Sequence, residues 1–132
     1  MVRPKHEHPT PAELEVLQIL WQHGPSTVRD VLDRLPKNRK RGYTTVMSLL
    51  NVMFDKKMLT RKPQGRAFLY AAKADQAGTL GKMIQDLLHR AFDGSSATLV
   101  AHLLDQAAPD ANELAEIRRL LEQHETQPED QQ

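Results

Sequence analysis

The sequence predicts a mainly α-helical fold in two parts: three short helices with a two-stranded hairpin, followed by three amphipathic helices. Apolar residues recur at spacings of three and four along most of the chain, which is the helical period, whereas the segment around Gly65 alternates like a strand. Charge divides between the same two parts. Residues 1–73 carry 14 Lys and Arg against 6 Asp and Glu, a net charge of +8, and residues 74–132 carry 4 against 11, a net charge of −7.

The first helix has a well-marked start and end. Thr10 is the expected N-cap, Pro11 suits the first turn, and Glu13 completes a capping box. Gly24-Pro25 ends the helix. Its inward face is expected to consist of Leu14, Leu17, Leu20 and the aromatic core anchor Trp21, packed against the next two helices. Residues 1–9 before it are predicted to be flexible.

The second and third helices complete a small head. The second is expected to begin after Ser26 or Thr27 and to end at Pro36. The third begins at Tyr43, after a basic loop at residues 37–42. Their inward residues are expected to be Val28, Val31, Leu32 and Leu35, and then Val46, Leu49, Leu50 and Met53. Three helices in about fifty residues, the last one flanked by positive charge, predict a helix-turn-helix.

A basic hairpin follows the third helix. Its strands are expected at Met58–Lys62 and Ala67–Tyr70, joined by a turn at Pro63–Arg66. Gly65 permits the positive φ that such a turn often needs. A hairpin in this place is the wing of a winged helix-turn-helix, so residues 10–73 are predicted to form a winged-helix domain.

Residues 74–124 are predicted to form a helical dimerisation region. Each of its three helices has an apolar side, and together these sides exceed what the small winged-helix domain can cover. A second copy of the chain is therefore the expected partner. The predicted dimer interface consists of Leu80, Ile84, Leu87, Leu99, Leu103, Leu114, Ile117 and Leu121. The polar residues 125–132 are expected to form a disordered tail.

The outward face of the third helix predicts what the head binds. Helical periodicity places Thr44, Ser48, Asn51 and Asp55 outward, with Thr45, Met47 and Val52 at the edges of that face. Short hydroxyl and amide side chains can approach DNA base edges closely. An isolated helix with this face would more often be an ordinary solvent-exposed one. The basic residues before the helix, at its end (Lys56 and Lys57) and on the hairpin favour DNA instead. The predicted phosphate-binding residues are Arg39, Lys40, Arg41, Tyr43, Asn51, Arg61, Lys62 and Arg66.

Composition excludes several other classes of function. There is no cysteine, so disulfides and thiolate metal sites are excluded, and no apolar run approaches the roughly 18 residues that span a bilayer. The beginning of the chain has no signal-peptide pattern, so a cytoplasmic protein without direct membrane binding is expected. The sequence has no glycine-rich phosphate-binding loop, no nucleophile elbow and no histidines at metal-binding spacing. We therefore expect neither an enzyme nor a cofactor or metal site. The alternative is a winged helix that binds proteins, although such modules tend to lack a basic wing.

From Thr10 to about His124, the chain resembles the penicillinase repressor family of winged-helix regulators, the BlaI, MecI and CopY type. The resemblance is carried by PAELEVLQILW at residues 11–21, STVRDV at 26–31, YTTVM at 43–47, DKKML at 55–59, Gly65-Arg66, Tyr70 and the FDG break at 92–94. It implies a homodimer with intertwined C-terminal helices that represses transcription from dyad-symmetric operators in double-stranded DNA. It also implies a membrane-bound sensor metalloprotease that cuts the dimerisation region.

The family's base-contacting positions fall on Thr44, Thr45, Met47 and Ser48, and its wing arginine falls on Arg66. Three positions depart from the family pattern. Val52-Met53 replaces a frequent Arg-Leu pair, and Lys56-Lys57 replaces a Lys-Gly pair at the end of the third helix. His102-Leu103 stands where the family's cut site has Asn-Phe, which argues against proteolytic induction. The cysteine hook of the copper-responsive branch is absent, which argues against direct copper or zinc sensing. The operator sequence, the regulated genes and the inducing signal are not predicted.

Overall fold

The computed structural model describes residues 8–36 and 41–126, and it confirms the mainly helical fold with a two-stranded antiparallel sheet. The elements in these residues are α1 (Pro11–His23), α2 (Val28–Arg34), α3 (Tyr43–Asp55), β1 (Leu59–Gln64), β2 (Ala67–Ala72), α4 (Gln76–Ala91), α5 (Ser96–Ala107) and α6 (Ala111–Thr126). The chain divides into two compact units, Met1–Gln85 and Asp86–Gln132. No helix in the described part is long and apolar enough to cross a membrane.

The start and end of α1 are those predicted. The Thr10 hydroxyl accepts a hydrogen bond from the Glu13 backbone N–H at 3.2 Å, and Glu13 Oε1 accepts one from the Thr10 N–H at 2.9 Å. These two bonds form the capping box. Gly24 ends the helix with φ of 82°, a value that suits glycine because it has no Cβ.

The core of the first unit forms between α1, α2, α3 and the hairpin. Its buried apolar side chains are Val16, Leu17, Ile19, Leu20, Val28, Val31, Leu35, Val46, Leu50, Met53, Leu59 and Tyr70. The predicted inward face of α1 is partly wrong. Val16 and Ile19 are buried, whereas Leu14 is only half-buried, because the helix turns a broader apolar arc toward its neighbours than the predicted stripe.

Trp21 also lies elsewhere than predicted. It is half-buried at the edge of the core rather than at its centre. Its indole Nε1–H donates to the backbone carbonyl of Ala74 at 2.9 Å. Since a buried indole needs an acceptor, the position at the edge satisfies the N–H and ties the segment after β2 to α1.

Of the two candidate caps for α2, the structure uses Thr27, whose hydroxyl accepts from the Asp30 N–H at 3.1 Å. Ser26 has a different role. It is fully buried, and its backbone exchanges two hydrogen bonds with Tyr70, at 2.9 and 2.8 Å. Ser26, which directly precedes the N-cap of α2, therefore lies against the free edge of β2 as a one-residue strand.

β1 extends two residues further toward the turn than predicted, and β2 extends two residues beyond Tyr70. Leu59 pairs with Ala72 and Gln64 with Ala67, so the turn itself is only Gly65-Arg66. Gly65 has φ of 62° at the first turn position, as in the tight turns that suit the twist of a hairpin. Pro63 lies within β1, where the open edge of a two-stranded ribbon requires no N–H donor.

A tight helix end connects α3 to the hairpin. Lys57 has φ of 67°, its N–H donates to the Phe54 carbonyl at 3.0 Å, and the Met58 N–H donates to the Met53 carbonyl at 2.9 Å. These paired bonds are a Schellman motif, which normally has glycine at the position of Lys57. Because the Met58 N–H belongs to this motif, β1 begins at Leu59 and not at Met58 as predicted.

The helices that follow the hairpin present apolar side chains without burying them. No residue of α4, α5 or α6 is buried. Ile84, Leu87, Leu103 and Leu121 of the predicted interface are 46–57% exposed, and its other four members are half-buried. Val100 and Leu120 add to the exposed apolar surface. Ser95 caps α5, Asp110 accepts from the Glu113 N–H in the first turn of α6, and α6 continues through Thr126.

Candidate nucleic-acid interface

The first half of α3 presents the four predicted base-reading residues on one accessible surface. Thr44, Thr45, Met47 and Ser48 are all exposed. On the opposite side of the helix, Val46, Leu50 and Met53 are completely buried. Burial of that side fixes the rotation of α3 about its axis, so the polar side has to face solvent.

The N-terminal end of α3 combines an aromatic ring with a positive charge. Gly42 is the N-cap and supplies no side-chain hydrogen bond, so the first amide N–H groups of α3 have no side-chain cap. Tyr43 is 44% exposed, and the Arg29 guanidinium of α2 lies 5.3 Å from its ring centre. Arg29 was not predicted as a site residue. Its place as the second residue of α2, next to the start of α3 in a helix-turn-helix, was the available signal.

The basic residues before α3 have different environments. Arg41 forms an ion pair with Glu15 of α1, with 3.3 Å between Nη1 and Oε1. Arg39 and Lys40 lie outside the described residues. Of the three basic residues predicted before α3, Arg41 is the one within the described residues. Its guanidinium is paired with an acidic side chain.

The basic residues at the end of α3 are partly engaged in the fold. Lys56 Nζ lies 2.7 Å from Oε2 of Glu13, whose side chain is almost completely buried. Burial raises the pKa of the Glu13 carboxyl, but the hydrogen bonds from Lys56 and Thr10 outweigh it, so the pKa of Glu13 lies below its ordinary value. Lys56 therefore holds the end of α3 against the start of α1.

The hairpin carries two kinds of basic residue. Lys62 and Arg66 are exposed, and neither makes a side-chain hydrogen bond or ion pair within residues 8–36 and 41–126. Arg61 is half-buried, with its guanidinium 4.0 Å from the ring centre of Phe54 and 3.1 Å from Asn51 Oδ1. Two of the predicted phosphate-binding residues, Arg61 and Asn51, thus contact each other.

Comparison with known proteins places the chain in a family. The model of the family described as "Penicillinase repressor" matches residues 9–123. The chain belongs to the penicillinase repressor family. Proteins of this family are transcriptional repressors and not enzymes. The winged-helix fold and the family resemblance predicted from the sequence are thereby confirmed.

Three relatives show the range of similarity within the family. The chain is 26% identical over 113 residues to "Penicillinase repressor" of Bacillus licheniformis, covering 86% of this chain and 88% of the relative. It is 31% identical over 111 residues to "Transcriptional regulator BlaI" of Mycobacterium tuberculosis, covering 83% and 79%. It is 20% identical over 110 residues to "Methicillin resistance regulatory protein MecI" of Mammaliicoccus sciuri, covering 83% and 89%. A solved structure described as "CopR Repressor Structure" is 28% identical, covers 52% of this chain and 99% of its own, and has a TM-score of 0.44.

Proposed function

We propose that this protein is a sequence-specific transcriptional repressor that binds dyad-symmetric DNA operators as a homodimer. The observation that carries the proposal is the exposed polar face at the start of α3, with the exposed basic side chains of Lys62 and Arg66 on the adjoining wing. The relatives named as repressors and regulators support the regulatory role.

In this proposal, Thr44, Thr45, Met47 and Ser48 read base edges in the major groove. Hydroxyl groups donate and accept hydrogen bonds, and the methyl groups of threonine and methionine suit the methyl group of thymine. No long charged side chain stands among these four residues to hold α3 away from the groove floor.

Phosphate contacts fix the orientation of the head on the duplex. Arg66 and Lys62 supply them from the wing, and Tyr43 supplies one from the start of α3. Arg41 joins them by exchanging Glu15 for a phosphate, and Arg39 and Lys40 belong to the same basic loop in the sequence. Arg29, whose guanidinium lies next to the Tyr43 ring, also belongs to this set in the proposal.

The exposed apolar sides of α4, α5 and α6 supply the dimer interface in this proposal, through the eight residues predicted from the sequence. Exposed side chains such as Leu103 and Leu121 lose contact with water when a second copy covers them. A sensor metalloprotease is not part of the proposal. His102-Leu103 departs from the family's cut site and lies within α5, where a regular helix does not offer the extended backbone that proteases bind.

The test separates base reading from phosphate binding. The probes are a duplex selected from a random library by the wild-type protein and a scrambled duplex of equal length, each titrated at several salt concentrations. Thr45→Ala is expected to cost about 1–3 kcal/mol on the selected duplex and little on the scrambled one. Thr60→Ala, an exposed threonine on β1, is the matched control and should change neither affinity.

Arg66→Ala is expected to weaken binding to both duplexes alike and to reduce the slope of log affinity against log salt by about 0.9, the value for one phosphate contact. Equal losses on both duplexes for Thr45→Ala would contradict its role as a base reader. Failure to select any duplex, together with binding that does not depend on salt, would favour a winged helix that binds proteins.

A further inference from the structure

Arg61 occupies a position on β1 that faces the helices. Its neighbours on that side of the ribbon are Leu59 and, across the strand, Tyr70, and both are 2% exposed. The next residue, Lys62, points to the other side, because successive residues of a strand alternate. An arginine at an inward position has to find partners within the protein, whereas Lys62 remains in solvent.

The partners of Arg61 come from α3 and β2. Its guanidinium lies between the rings of Phe54 and Phe68, at 4.0 and 4.3 Å from their centres. Its Nη1 donates to Asn51 Oδ1 at 3.1 Å and to the Tyr70 hydroxyl at 3.4 Å. The Tyr70 hydroxyl donates to the same Asn51 oxygen at 3.2 Å. We call these five residues, Arg61, Phe54, Phe68, Asn51 and Tyr70, the wing clamp.

Three properties of the wing clamp distinguish Arg61 from a phosphate-binding side chain. Its guanidinium carbon lies close to two aromatic rings, and contacts of this kind are favourable for a cation. Its Nη1 already donates to two acceptors within the protein, Asn51 Oδ1 and the Tyr70 hydroxyl. The contacts also join the wing to α3, so they fix the position of the wing relative to α3.

We propose that Arg61 is a positioning residue that holds the wing at a set distance from α3, and thereby places Arg66 correctly for its phosphate. Asn51 belongs to the same device. This inference rests on the proposed DNA-binding function, and it replaces the direct phosphate contact that the sequence predicted for Arg61. If Arg61 has this role, the contribution of Arg66 to DNA affinity must depend on the presence of Arg61.

A measurement without DNA tests the clamp itself. The chain has no cysteine, so Gln64→Cys on the wing and Gln22→Cys on α1 can be spin-labelled selectively. Labelled protein is diluted with unlabelled protein so that a dimer carries one labelled chain. Arg61→Met, which keeps an unbranched stem between the rings, should broaden the distribution of distances between the two labels. Lys62→Met removes the adjacent charge and should leave the distribution unchanged. An unchanged distribution in both variants would overturn the clamp.

A thermodynamic cycle on the selected duplex tests its consequence for binding. Arg66→Ala should weaken binding less in the Arg61→Met background than in wild type, by about threefold or more, because contacts in one network are not additive. Additive effects, with a further loss of about 0.9 in the salt slope for Arg61→Met, would show a direct phosphate contact and overturn the inference.

Tyr70→Phe removes only a hydroxyl from the clamp and keeps both ring and charge. It should lower affinity for the selected duplex without changing the salt slope, and a variant that binds like wild type would contradict the clamp. If wild-type protein selects no duplex at all, the proposed function fails, whereas the spin-label distances still decide whether Arg61 holds the wing.

Discussion

Glu13 is a buried carboxylate whose partners belong to two different helices. Its side chain is 4% exposed, completes the capping box of α1 with Thr10, and accepts a hydrogen bond from Lys56 at the end of α3. A buried carboxylate without such donors would be costly, so the three groups depend on one another. The residue thus connects the start of α1 to the end of α3.

This connection makes stability depend on pH. The pKa of Glu13 is lowered in the folded protein, so its ionised form stabilises the fold above the unfolded pKa, and this contribution is lost as pH falls through the folded pKa. We expect the wild-type advantage over Glu13→Gln in urea unfolding to be full at pH 7 and to shrink below about pH 4. A difference that stays constant from pH 7 to pH 3 would contradict this account.

The Lys56 side of the same contact can be tested at neutral pH. Lys56→Met leaves the Glu13 carboxylate buried without its charged donor, and the free energy of unfolding should fall by about 1–3 kcal/mol. Lys62→Met, an exposed lysine without a partner among the described residues, is the control and should change it by less than about 0.5 kcal/mol. Equal effects of the two substitutions would show that the ion pair contributes nothing to stability.

At the scale of the element, the end of α3 contains a backbone conformation that its residue disfavours. Lys57 has φ of 67° at the position where a Schellman motif normally has glycine. A side chain with a Cβ costs about 1–2 kcal/mol in this region, and glycine avoids that cost. The departure from the family's Lys-Gly pair, noticed in the sequence, is therefore a local strain at the junction of α3 and the hairpin.

Lys57→Gly should raise the free energy of unfolding by about 0.5–1.5 kcal/mol, because the gain in the folded state exceeds the greater chain entropy of glycine in the unfolded state. Lys57→Ala removes the same charge but keeps the Cβ, so it should give no such gain. Denaturant unfolding of both variants at one salt concentration makes the comparison. A gain of equal size in Lys57→Ala would assign the effect to charge and not to the backbone.

The elements could be predicted because their signals are local. Caps, breakers and the helical period fix α1, α2 and α3 within a residue or two, and Gly65 fixes the hairpin turn. The contacts between side chains of different elements could not be predicted, because they depend on how the elements pack against one another. The burial of Val16, the bridge from Ser26 to Tyr70 and the clamp around Arg61 each depend on contacts between different elements. One signal for the clamp was present in the sequence. Side chains alternate along β1, and this alternation places Arg61 on the inward side with Leu59.

At the scale of the whole molecule, a basic head and an acidic helical region differ in charge and in the kind of surface that they expose. The net charges of +8 and −7 mean that DNA attracts the first part of the chain and repels the second. The second part instead offers apolar helix sides, exposed in a single chain. In the proposed function, one head offers one short helix and one wing, so we expect strong binding to need a second head, with half-sites about 34 Å apart.

Loss of dimerisation should therefore lower the affinity for the operator without changing the exposed polar face of α3. Leu103→Asp and Ile117→Asp each place a carboxylate in the proposed interface, where it would lack a partner. Both variants should be monomeric and should bind the selected duplex about a hundredfold or more weakly, since the second contact is no longer intramolecular. Their binding to scrambled DNA should stay salt-sensitive, because the heads are unchanged. A control substitution, Glu125→Gln, lies outside the interface and should remain dimeric.

The most direct test of this account is analytical ultracentrifugation of wild-type protein and Leu103→Asp, each alone and with the selected duplex. The account predicts a wild-type dimer at micromolar concentration that binds one duplex per dimer, and a Leu103→Asp monomer that forms no stable complex at the same concentration. A wild-type monomer, or a monomeric Leu103→Asp variant that binds the selected duplex with wild-type affinity, would contradict the dimeric repressor.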